Sequence, residues 1–167
     1  YLDAGRYFRS RPGNVHDSNG APEFMLSCFE KAKAEIKNTI FESRMDSAFF
    51  NKLILSILNG NNIKFSGSVP FERFTELKKM IEECTSWNKS DKEWSYFETQ
   101  WKPKSWKASF RFIFTRRKNK KQQKGPLQLK LFEPTDFQYD YKVIVTNKPE
   151  SAKAVVLFHN GRGSQEA

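Results

Sequence analysis

Two acidic residues 120 positions apart, Asp46 and Glu166, with Arg162 and His159 just ahead of the second, have the types and spacing that suit phosphate chemistry. Asp46 follows Thr39 to Met45, a stretch that reads as a strand. Open α/β sheets bind ligands outside the carboxyl ends of their strands. Glu166 stands near the end of Ser151 to Glu166, which reads as a helix with Ala154, Val155 and Phe158 on its apolar side. Arg162 is four residues earlier, one turn away on the same helical face. Carboxylates distant in sequence but close in space can hold Mg²⁺, a hard cation that keeps waters for a substrate. Two such ions about 4 Å apart stabilise both the attacking and the leaving oxygen of a phosphodiester. Arginine adds a bidentate phosphate donor. Each residue also has a plainer role. Asp46 suits a helix cap, and Glu166 a solvated helix charge. Gly161 and Gly163 weaken that helix by about 1 kcal/mol each against Ala, or allow a close backbone approach. Spacing alone leaves these roles open.

Charge points the same way. The net formal charge is +10, and residues 99–132 hold eleven Lys and Arg with no Asp or Glu. The rest of the chain therefore sums to −1. A surplus this localised calls for a polyanion or for extensive solvent, and Arg116 to Lys124 also reads as a solvated loop. Trp94, Tyr96, Phe97, Trp101, Trp106, Phe110, Phe112 and Phe114 interleave with the cations. Phosphates bind cations, while aromatic faces pack a core or stack on unpaired bases. Phe110, Phe112 and Phe114 alternate as in a half-buried strand. Candidate nucleic-acid contacts are Lys102, Lys104, Lys107, Arg116, Arg117, Trp101 and Trp106, with Arg11 and Asn14 from an earlier turn.

The elements that must position these residues follow from periodicity. Tyr1 to Ser10 reads as extended, and Arg11 to Gly20 as a turn and polar loop. Pro22 to Lys37 reads as a helix capped by Ser18 or Asn19, with Met25, Phe29, Ala32 and Ile36 on one stripe. Ala48 to Leu58 and Phe71 to Cys84 read as further helices, the second with Phe71, Phe74, Leu77, Ile81 and Cys84 on one face. Strands are expected at Ile63 to Phe65, Trp94 to Trp101, Phe110 to Thr115, Leu127 to Leu131 and Tyr139 to Thr146. With 38% apolar and 15% aromatic residues the chain can bury a core. Cys28 and Cys84 match no zinc spacing and are expected to be buried free thiols in a reducing cytoplasm. No apolar run approaches the roughly 20 residues a bilayer span needs, and no membrane partner is expected. His16 reads as a loop residue.

These segments, in order, resemble the DDE transposases of bacterial insertion sequences. Arg11-Pro12-Gly13-Asn14-Val15-His16 and Ser18-Asn19-Gly20 are similar to a loop of that family. Arg44-Met45-Asp46-Ser47-Ala48-Phe49-Phe50 resembles its second motif. His159, Arg162 and Glu166 fall on the Tyr, Arg and Glu of a third motif, with His in place of Tyr. The resemblance spans nearly the whole chain. It implies a ribonuclease H-like α/β fold: a mixed sheet flanked by helices and interrupted by a β-rich insertion. Residues 1–86 would be the first part of the core, 87–147 the basic insertion, and 148–167 the returning helix. It also implies a DNA strand cleavage and strand transfer enzyme using Mg²⁺ or Mn²⁺. Asp46 and Glu166 would hold metal, and Arg162 and His159 would clamp DNA phosphate. The partners would be transposon ends and target DNA, with a homodimer in a synaptic complex, in a bacterial cytoplasm near the nucleoid.

The family's first carboxylate has no assigned counterpart. Asp3 falls in the segment that corresponds to a third strand rather than the first. With no initiator Met at Tyr1, the chain reads as part of a longer protein whose first Asp lies upstream, and by itself it is expected to bind metal weakly and not to cut DNA. A reading of another class is a non-catalytic nucleic-acid-binding remnant or regulatory piece. A third is a different nuclease on the same fold.

Overall fold

The computed structural model describes residues 20–90, 93–118 and 139–161. Helix α1 spans Ala21–Glu35. Its N-cap is Gly20, with φ 66°, and no side chain caps it; the left-handed backbone there suits glycine. Strand β1 is Glu42–Met45. It is shorter than Thr39 to Met45, because its pairing with β2 begins only at Glu42. The helix expected at Ala48 to Leu58 divides in two. A single 3₁₀ turn, Ser47–Phe49, is capped by Asp46. Then α2, Lys52–Gly60, starts at Asn51, whose side chain accepts from Leu53 N at 2.8 Å. Strand β2 is Lys64–Ser68, and a 3₁₀ turn at Phe71–Arg73 precedes α3, Thr75–Glu83.

The described strands that follow are β3 Asn88–Lys89, β4 Trp94–Trp101, β5 Phe110–Lys118 and β6 Tyr139–Thr146. Helix α4, Ala152–Asn160, starts at Ser151, whose hydroxyl accepts from Ala154 N. The strand expected at Leu127 to Leu131 and the end of the helix expected to reach Glu166 lie outside the described residues.

Among the described residues, six strands form one mixed sheet in the order β1-β2-β6-β5-β4-β3. β1 and β2 are parallel; the other pairs are antiparallel. The α/β class with a mixed sheet between helices agrees with expectation. The strands of the basic segment are continuous with β1 and β2 through the β2–β6 pairing, and they share a core with them.

Alternation along each strand sends side chains to opposite faces. Met45, Phe65, Val143, Val145, Phe110, Phe112 and Phe114 meet Ile54, Leu55 and Leu58 of α2 and Leu77 and Ile81 of α3 in the larger core cluster. Ile113 and Ile144 pack against Ala152, Val155 and Val156 of α4 in a second cluster. Each fully buried Leu, Ile, Val or Phe contributes about 1.5–3 kcal/mol of transfer free energy, so both faces are anchored. Cys28 and Cys84 are free thiols, as expected, but only half buried. Cys84 lies at the C-cap of α3, where its thiol donates to Ser86 O.

Candidate functional site

Asp46 is the first residue beyond β1, at the carboxyl end of the strand. Its backbone is extended (φ −83°, ψ −178°), and Oδ1 accepts from Ala48 N at 3.0 Å. The cap role foreseen for this residue is thus present, on a 3₁₀ turn rather than on the following α-helix. That hydrogen bond also fixes the carboxylate at the strand end.

The last turn of α4 is fastened to the same region. Arg44, two residues before Asp46, donates from Nη1 to Phe158 O at 3.1 Å. Its guanidinium lies 5.0 Å from the centroid of the Phe158 ring. Lys148 Nζ lies 4.0 Å from the same centroid and pairs with the Glu42 carboxylate. A Cβ added to Gly161 would come within 3.3 Å of Arg44 Nη1, a measure of how closely the helix end approaches β1. His159 is buried, with Nδ1 3.0 Å from Ser66 Oγ and Nε2 2.9 Å from Ser68 Oγ, both on β2.

The region of residue 46 and the end of α4 are therefore brought together. Arg162, Glu166, Arg11 and Asn14 lie outside the described residues. Among the described residues, no group of three or more His, Cys, Asp or Glu side chains could hold a metal ion. The Asp46 carboxylate is a hard oxygen group of the kind Mg²⁺ or Mn²⁺ binds, and one such group does not make a metal site.

The basic candidates separate into two groups. Lys102, Lys104 and Lys107 are exposed on the loop between β4 and β5. That loop is closed by Lys102 Nζ donating to Lys107 O and by Trp106 N donating to Pro103 O. Lys52 of α2 reaches across to Ser105 O at 3.0 Å. Trp106 is buried, stacked on Phe50 at 5.2 Å and edge-on to Phe110 at 6.0 Å. Its ring is a core group that ties the lysine loop to the segment after Asp46, which leaves it little face for a base. Trp101 is half buried against Phe74 and Phe112.

At the other end of β5, Arg116 is held between the rings of Trp87 and Tyr139, at 4.4 and 4.6 Å. Arg117 is exposed and paired with Glu93. Sequence reasoning gives no role to Ser66, Ser68 and Lys148, and names Arg44 and Phe158 only within a motif and an apolar stripe. Their roles depend on partners about a hundred residues away, and no local spacing signals that.

A family model described as Transposase DDE domain group 1 matches residues 8–167. The search of curated proteins finds no match.

Proposed function

This chain belongs to the transposase DDE domain family, and from that membership we propose that it contributes to metal-dependent cleavage and strand transfer at transposon ends. In this reading Asp46 and Glu166 hold Mg²⁺ or Mn²⁺, together with a further carboxylate. When bound, the metal pair stabilises charge on the attacking and leaving oxygens of the phosphodiester.

The chain's own residues do the rest. The Ala48 N–H orients Asp46. Arg162, four residues before Glu166, neutralises a phosphate by bidentate donation. Lys102, Lys104 and Lys107 hold flanking backbone phosphates, and Arg117 extends that contact along β5. The observation that carries the proposal is that the last turn of α4 is bonded to β1 two residues before Asp46. The strand end that carries Asp46 and the last turn of α4 are thus adjacent, which supports a site shared between the two elements. Transposon ends and target DNA are the proposed partners, engaged by a homodimer.

Binding of Mn²⁺ to the chain, followed by electron paramagnetic resonance, tests the metal role directly. Asp46→Asn and Glu166→Gln are each expected to reduce the bound fraction. Unchanged binding in both variants would leave a basic DNA-binding body without a metal centre.

A further inference from the structure

Position 159 carries histidine where the resembling motif has tyrosine, and its surroundings differ from those of a phosphate ligand. A group that grips phosphate must present a donor to solvent. His159 is only 8% exposed. Both ring nitrogens face serine hydroxyls, Ser66 Oγ at 3.0 Å and Ser68 Oγ at 2.9 Å. Ser66 is itself fully buried. The two serines alternate on β2 and so project to the same face of the sheet. Their spacing matches the two nitrogens of one imidazole. In a neutral ring one nitrogen donates and the other accepts, and a hydroxyl can do either. The pair therefore satisfies the ring in either tautomer.

Phe158, the preceding residue, has its carbonyl bonded to Arg44, and its ring lies near both Arg44 and Lys148. Consecutive residues thus bind β1, β2 and the segment after β6. A helix end held at three such points cannot easily rotate or slide.

We infer that His159 is a positioning residue that locks the last turn of α4 onto β2, fixing that turn relative to β1 and Asp46, and that it does not bind phosphate. This rests on the proposed metal role of Asp46 and Glu166. The inference separates two properties that a phosphate ligand would combine. Loss of the lock should weaken metal binding and leave DNA affinity intact, because the ring does not touch DNA. Residues that orient metal ligands change metal affinity by about 10–100-fold when replaced, and His159 acts through a helix, so the lower end applies.

The experiment compares Mn²⁺ affinity and duplex DNA affinity for the chain and five variants. His159→Phe keeps a ring but removes both hydrogen bonds. Ser66→Ala combined with Ser68→Ala removes the same bonds and leaves the histidine in place, so the measurement survives if one variant folds poorly. Both are expected to lower Mn²⁺ affinity about tenfold, with DNA affinity and its salt dependence unchanged. His159→Gln, which retains a donor and an acceptor, should recover part of the loss. Imidazole ¹⁵N signals of His159 should not move when DNA is added. Reduced DNA affinity in His159→Phe with Mn²⁺ binding intact, or an imidazole shift on adding DNA, overturns the inference in favour of a phosphate ligand. Sensitivity of Mn²⁺ binding to Asp46→Asn and Glu166→Gln, but not to His159→Phe or the serine pair, refutes the inference alone. Indifference to Asp46→Asn and Glu166→Gln refutes the metal reading beneath it.

Discussion

Replacing Trp106 with alanine removes a buried indole that stacks on Phe50 and meets the edge of Phe110. Truncating a buried Phe or Trp to Ala costs about 3–5 kcal/mol. Trp106 is 9% exposed and sits on a loop that can partly collapse, which places the expected loss near the lower end. A loss of about 3 kcal/mol in a chain of this size lowers Tm by roughly 6–12 °C. Trp106→Phe keeps one face against Phe50 and should cost about 1–1.5 kcal/mol, because volume is largely conserved. Urea unfolding followed by circular dichroism measures both, provided the slope m is unchanged between variants. The same pair decides whether Trp106 also reads DNA. A stacked base contributes about 1–3 kcal/mol to binding on alanine substitution. The packing argument instead predicts that Trp106→Phe binds duplex DNA as the parent does. A loss of stability under about 1 kcal/mol for Trp106→Ala would refute the core assignment. So would a loss of DNA affinity in Trp106→Phe without a loss of stability.

Three further outcomes are expected. Changing Lys102, Lys104 and Lys107 together to Ala should weaken DNA binding and flatten its dependence on salt, with log K against log salt losing about 0.9 per phosphate contact; titrations at several ionic strengths measure this, and an unchanged slope means these cations face solvent only. Arg111 donates to Glu98 Oε2 and to the carbonyls of Lys148 and Glu150. Arg111→Ala is therefore expected to lose about 1–2 kcal/mol, and Arg111→Lys should recover only part of it because an ammonium lacks the fork; denaturant midpoints give both values. Lys148→Ala leaves Glu42 without its main partner and strips one cation from Phe158. Thermal unfolding should register a decrease of about 2 kcal/mol, below the 3–5 kcal/mol of a fully buried pair because Glu42 is partly exposed.

Periodicity read the sheet well and its context poorly. Trp94–Trp101 and Tyr139–Thr146 have the bounds that their residues suggest. Long strands with strict alternation carry a strong local signal. After Asp46, Ala48 to Leu58 reads as one helix. Asn51 intervenes as a second cap, and Phe50 turns inward to meet Trp106 and Phe74. The half-burial of Cys84 follows from the short α3, whose last turn ends before the thiol can reach the core. At the site, the strand-end position of Asp46 was legible from its flanking residues. The burial of His159 was not. It depends on which face of β2 carries Ser66 and Ser68, and on α4 covering that face.

The fastening of α4 has a kinetic consequence. Its bonds span 114 residues from Arg44 to Phe158, and 93 and 91 from the two serines to His159. Contacts this remote form only after large loops have closed, and chains dominated by them fold slowly. The two serine hydroxyls reach their places only when β1, β2 and β6 are in register. Docking of this helix is therefore a late event in folding, and hydrogen exchange should find its last turn opening before the sheet does.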